Sequence, residues 1–232
     1  MALAGVFGAA VAGVAGFGSA TVLIPLVGLF TELPAAIAVV ALYHGAANLS
    51  RLLYSVRAVN WRVVWIFGLP SLVAAAAGGL LLGRLDSDLF RRLFGGLLIA
   101  VALLGFLNIR ARWQPSVTSL VTGGSLSGFL AGLSGMGGAL RSLFLLTYDL
   151  DKTAYIATGA LIAIVVDVGR TTAYAKQGIF GPESVTYLLA LVPAAVVGSW
   201  LGRRTLGRIS QPVFRKVVFL LLLIAGGRFL LM

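Results

Sequence analysis

His44, Asn48 and Arg51 stand at i, i+4 and i+7 within an apolar run. On a helix they share one face, within about 60° of each other. Asp167 and Arg170, followed by Tyr174, form a second stripe of the same kind. Ionisable groups inside membrane-length segments are costly unless paired or hydrated, which makes them candidates for function. The guanidinium groups of Arg51 and Arg170 suit bidentate binding of an oxyanion, and Asn48 adds hydrogen-bonding capacity. His44 and Asp167 are candidates for carrying a coupling proton. Each residue also has a plainer use. Arg51 can anchor a helix end by reaching toward lipid headgroups, Asp167 and Arg170 can neutralise each other, and His44 can be a hydrogen-bonded packing residue.

Two glycine clusters offer a different chemistry. The first is Gly16-Phe17-Gly18-Ser19, and the second is Ser134-Gly135-Met136-Gly137-Gly138. Without a β-carbon, backbone N–H groups can approach an anion closely, and a helix beginning there turns its positive dipole end toward it. Ser19 and Ser134 bring hydroxyl donors. The commoner use of membrane glycine is close helix packing; two equivalent clusters in over-long segments favour the site reading. Arg141 follows the second cluster directly, well inside its segment, and Val22 stands at the matching place in the first half. A cation beside a glycine-rich break is a natural anion ligand.

Little else in the sequence resembles catalytic machinery. With no cysteine and one histidine, thiol nucleophiles, disulfides, iron–sulfur clusters and multi-histidine metal sites are excluded. No P-loop, nucleophile elbow or zinc-ligand helix is present, so no catalytic residue, metal or cofactor is expected and the chain reads as a non-enzyme. Asp86 and Asp88, like Asp149 and Asp151, read as helix N-terminal signals. Trp61, Trp65, Trp113 and Trp200 lie near segment ends, where tryptophan anchors to a membrane interface.

These residues must be positioned by helices in lipid. Of 232 residues, 59% are hydrophobic and only 11% charged, against about 25% charged in an ordinary soluble domain. Mean hydropathy is +1.03. Apolar runs fall at approximately 2–30, 33–50, 61–83, 89–109, 116–148, 152–175, 183–202 and 213–231. Eight segments of about 20 residues leave no room for a soluble domain. The first run lacks the basic start of a signal peptide and recurs mid-chain, so it reads as mature structure. The net charge of +11 punctuates these runs, which suits cytoplasmic loops and anionic headgroups and argues against nucleic acid as a partner.

The halves repeat. A shift of 119 places Gly16-Phe17-Gly18 on Gly135-Met136-Gly137, Asn48 on Asp167, Arg51 on Arg170 and Gly83 on Gly202. A shift of 124 then places Phe90-Arg91-Arg92 on Phe214-Arg215-Lys216. The expected fold is all-α, a polytopic transmembrane bundle of two four-segment repeats, 1–112 and 113–232. If all eight segments cross, basic residues divide almost evenly between the two faces, seven against nine. If segments one and five return to the side they left, Arg51, Arg57, Arg62, Arg110, Arg112 and Lys152 join Arg203, Arg204, Arg208, Arg215 and Lys216. Arg84, Arg91, Arg92, Lys176 and Arg228 then take the other face, eleven against five. The positive-inside rule favours this second arrangement, an inverted repeat with glycine-broken first segments.

The order of these motifs resembles the sulfite exporter TauE/SafE family of membrane permeases. The resemblance rests on Gly16-Phe17-Gly18-Ser19 with Pro25 and then Ala35-Ala36, and again on Gly135-Met136-Gly137-Gly138 with Ala154 and a segment ending near Gly178. It covers nearly the whole chain. It implies a multi-pass permease of the bacterial inner membrane for sulfite, a sulfonate or a related anion. The expected function is secondary transport by alternating access, with a small anion and membrane lipid as partners and a homo-oligomer left open. A passive anion channel and a structural subunit of a larger membrane complex are the alternatives.

Overall fold

Backbone N–H and C=O groups in a bilayer must be satisfied within their own segment, so apolar runs of this length fold as helices. A computed structural model of the chain describes residues 19–28, 30–53, 55–106, 116–145, 148, 150–182, 184–189, 191, 193 and 211–231; every regular element among them is helical. In chain order these are α1 (Ser19–Val27), α2 (Leu33–Leu53), α3 (Trp61–Leu82) and α4 (Ser87–Phe106), then α5 (Val117–Ser134), α6 (Gly137–Leu145), α7 (Lys152–Lys176) and α8 (Gln211–Leu231). Residues 184–189 add a further helical stretch. Gly16, Gly18, Asp149, Trp113 and Trp200 lie outside the described residues, as do the side chains of Ser19 and Arg51.

Among the described residues three helices are long and apolar enough to cross a membrane: Trp61–Leu82, Val117–Ser134 and Thr153–Lys176. Leu69, Val73 and Leu80 are exposed on the outer face of α3, in the manner of a lipid-facing surface. Pro70 has no N–H to offer the preceding turn, and its ring crowds that turn; the backbone widens just before it into a π-helical turn over Val64–Gly68. Ser116 and Ser119 start α5 with a reciprocal capping box, both bonds at 3.0 Å. Asp151 caps α7 by accepting from the Thr153 and Ala154 N–H groups at 2.8 and 2.9 Å. Asp86 caps α4 in the same way. Asp88 does not share that role: its carboxylate pairs with Arg91 at 3.1 Å, because it already lies inside the first turn.

The directions of the helices follow from their contacts. Gly124, Gly128 and Gly132 of α5 lie against the backbone of Phe67, Ser71 and Ala75 of α3, so these two helices run parallel. Gly68 packs on Ile162, Gly79 on Ala173, and Gln177 Nε2 donates to the Gly79 carbonyl, so α7 runs parallel to both. We call the end holding Trp61, Ser116 and Lys152 the base, and the end holding Gly83 and Lys176 the crown. α2 runs the other way. Its far end leads to Asn60, whose N–H reaches Thr158 Oγ1 near the start of α7 at 2.9 Å. α4 descends from the crown and packs against α8 in the opposite sense, Gly95 meeting Phe229 and Leu230 while Ile99 meets Gly226.

The fifth apolar segment turns back on itself. α6 lies antiparallel on α5, with Phe144 over Gly123 and Gly137 over Ser127, and Tyr148 then reaches Ser116 at the base. Two apolar cores result. One joins α1, α2, α4 and α8; the other joins α3, α5, α6 and α7. The α2–α7 contact, Met136 and Tyr174 connect them.

Candidate functional site at the broken helix

The break is built by glycine. Gly135 ends α5 with φ 74°, the left-handed conformation that closes a helix. Its N–H returns to the Ala131 carbonyl at 2.9 Å, and the place a Cβ would take is filled by Ile24 of α1. Two residues later Gly137 opens α6, so close to α5 that a Cβ would strike the Ser127 carbonyl oxygen. Ser127 Oγ donates to the Gly137 carbonyl at 2.8 Å and holds the two strokes of the hairpin together. The first N–H groups of α6 have no partners within their own helix, and the dipole there is positive. Ser134 is buried, but its hydroxyl donates to Leu130 at 2.8 Å, so the proton is directed into its own helix. Gly138, half-buried, accepts from Ser142 through its carbonyl at 2.9 Å.

Beside this break lies a buried polar cluster contributed by α2 and α7. Asp167 is its centre. Oδ2 approaches His44 Nδ1 at 3.1 Å, while Oδ1 accepts from Arg170 Nε and Nη2 at 2.9 and 2.6 Å. Arg170 Nη1 continues to the Ala131 carbonyl at 3.2 Å, so one guanidinium both neutralises the carboxylate and caps the last turn of α5. Tyr174, one turn on, donates its hydroxyl to the Gly132 carbonyl. Asn48 Nδ2 donates to the His44 carbonyl at 2.8 Å and lies 3.0 Å from Nδ1. When Nδ1 carries its hydrogen and donates it to the Asp167 carboxylate, that nitrogen has no lone pair for Asn48, and the carbonyl takes the amide hydrogen. Gly45 lets the helices meet here, with Asp167 in contact range of the place a Cβ would occupy.

His44, Asn48, Asp167 and Arg170 are each at least nine-tenths buried. Sequence spacing placed them on two stripes; folding makes the stripes face each other. Arg141 sits one turn into α6, half-buried, near enough to His44 to act on it electrostatically. The break, the cluster and Arg141 thus form one neighbourhood, with a helix N-terminus and two arginines gathered around the buried His44 and Asp167. Arg51 belongs to α2, one turn beyond Asn48.

A family model described as Sulfite exporter TauE/SafE matches residues 1–229. The chain belongs to the sulfite exporter TauE/SafE family. It is a membrane transporter of that family, and the match takes in both glycine clusters and both charged stripes. Searches among curated proteins and among solved structures returned no match.

In this TauE/SafE chain two elements of the site were not singled out in the sequence. The Gly124, Gly128 and Gly132 stripe brings the α3 and α5 backbones together, and its spacing of four is the signal that was available. Tyr174 was seen only as the continuation of a stripe, whereas its bond to Gly132 ties α7 to the end of α5. Among the described residues no cluster of side chains suited to a metal occurs.

Proposed function

We propose that the protein is a secondary transporter that moves a small sulfur oxyanion or sulfonate across the bacterial inner membrane by alternating access. The observation that carries this reading is the hairpin of α5 and α6, broken at Gly135, with Arg141 one turn past the break. Non-helical backbone at membrane depth is tolerated where it is buried in protein or lines a cavity. Transporters commonly bind anions at such half-helix ends. The anion would meet the α6 N–H groups and Arg141, and the matching glycine cluster of the first half, Gly16, Gly18 and Ser19, is the second candidate ligand set. Asn48 and Arg51 of α2 are further candidate ligands.

Support for an inverted repeat of 1–112 and 113–232 comes from helix direction. α4 and α8, related by the shift of 124, run antiparallel, and so do α2 and α7, related by the shift of 119. In this arrangement the base is cytoplasmic, because the sequence assigns eleven basic residues to that side against five to the other. His44 and Asp167 join the two repeats across their seam, which makes them the candidates for proton coupling. Arg170 would act on the anion indirectly, by holding the end of α5. A passive channel has the same basic lining but no saturable, coupled cycle.

The test is uptake of labelled sulfite into liposomes containing the purified protein, with sulfonates, sulfate and chloride as competitors. Saturable uptake with selective competition, lost in Arg141→Ala, is the expected result. Linear flux with no competition would replace the transporter with a pore.

A further inference from the structure

At the crown, away from the broken helix, a cavity of about 440 Å³ opens between the α1–α2 connection, the start of α4 and the end of α8. Thr31, Glu32, Ser87, Arg91 and Arg228 line it together with Phe30, Phe90 and Phe229. Its volume lies in the range of pockets that hold drug-sized molecules, well beyond what one small oxyanion fills. We propose that this cavity holds the headgroup of an anionic phospholipid, with the phosphodiester between Arg91 and Arg228.

Chemistry and position agree on that occupant. Arg91 lies one turn into α4, and Arg228 lies in the last turn of α8, beside its antiparallel neighbour. Both guanidiniums therefore sit at the end of the bundle, at the level where headgroups lie. Basic pockets between membrane helices are suited to phosphate headgroups, and guanidinium presents paired donors to phosphate oxygens. Arg91 also pairs with Asp88 at 3.1 Å, but that carboxylate is 74% exposed; an exposed pair of this kind is weak and yields to a phosphodiester. Glu32, exposed at the rim, has only acceptors to offer and matches a headgroup hydroxyl such as that of glycerol. Phe90 and Phe229 are buried in the wall while Phe30 is 54% exposed, which gives the first acyl carbons an apolar path from the cavity to the outside of the bundle. A soluble oxyanion would use the arginines but leave this aromatic surface without purpose.

The test compares lipids on the delipidated protein in detergent by native mass spectrometry, using phosphatidylglycerol and phosphatidylcholine with identical chains. Retention of phosphatidylglycerol should exceed that of phosphatidylcholine by on the order of tenfold. The preference should vanish in Arg91→Gln/Arg228→Gln. Ser87→Phe, which fills the cavity and leaves both arginines, should reduce phosphatidylglycerol binding as well. An unchanged preference in the double arginine variant, or unchanged phosphatidylglycerol binding in Ser87→Phe, overturns the proposal when the variant elutes as folded protein. So does inorganic phosphate that binds by calorimetry through the same arginines and displaces the lipid, since the site would then belong to a soluble anion.

Discussion

The Tyr148 hydroxyl donates to the Ser116 carbonyl at 2.7 Å, joining the two ends of the fifth apolar segment. That bond fixes where the chain is after 32 residues: back at the end it left. A segment that crossed once would place Tyr148 and Ser116 on opposite faces of the membrane. The topology that follows is open to a direct measurement, because the chain has no cysteine. Single cysteines at Arg57, Lys152 and Lys216 should react with an impermeant thiol reagent from one side of the membrane. Cysteines at Arg84, Arg92 and Lys176 should react only from the other. Labelling of position 152 together with position 84 would refute the returning hairpin.

Glycine substitutions should separate backbone strain from crowding. Gly135 and Gly178 both have positive φ, 74° and 66°. Alanine in that conformation costs about 1–2 kcal/mol. At Gly178 nothing lies within 4 Å of a new Cβ, so strain is the whole cost. At Gly135 the Cβ would also meet Ile24, and at Gly137 it would meet the Ser127 carbonyl. Gly178→Ala should therefore lower stability in detergent slightly and leave uptake near normal. Gly135→Ala and Gly137→Ala should abolish uptake, with Gly137→Ala the less stable of the two because backbone cannot swing aside. Equal behaviour of all three would mean that crowding at the break is unimportant.

Much of this was legible in the sequence because the signals are local. Asp151 before Lys152-Thr153-Ala154 marks a helix start by side-chain reach alone, and the apolar runs mark helices by composition. Gly135 and Gly137 in an over-long segment marked a break, since alternate glycines are poor helix and good turn. What the sequence left open was direction and partnership. Whether Arg170 meets an anion or Asp167 depends on the rotamer, and i, i+3 spacing permits both. That His44 meets Asp167 across 123 positions depends on two helices crossing at Gly45, which no local pattern encodes. Asp86 and Asp88 looked equivalent, yet a two-residue offset within one turn makes one a cap and the other an ion-pair partner.

The Asp167–Arg170 pair should behave as one unit. Removing either member leaves a buried charge without compensation, a loss of about 3–5 kcal/mol. Asp167→Asn keeps the shape but leaves the guanidinium facing a neutral amide. Arg170→Met leaves the carboxylate with His44 and also strips the cap from the Ala131 carbonyl. The double variant should lose less than the sum of the two single variants, because neither charge is then stranded. Thermal unfolding in detergent across this double-mutant cycle is the measurement. Strict additivity would show that the pair contributes nothing as a pair.

The seam between α2 and α7 should decide how transport is driven. His44 Nδ1 and Asp167 Oδ2 stand 3.1 Å apart on helices from different halves of the chain. Any rocking of one half against the other must stretch or break that contact. If a proton on this pair accompanies the anion, His44→Gln should keep anion exchange at equal pH, since glutamine still donates to the carboxylate. It should lose accumulation driven by a pH gradient across the liposome. Arg141→Lys offers the contrast: it keeps a cation but removes the planar fork, so it should weaken apparent sulfite affinity while gradient-driven accumulation survives at saturating anion. Unimpaired accumulation in His44→Gln would remove the histidine from coupling and leave it a fastening between the halves.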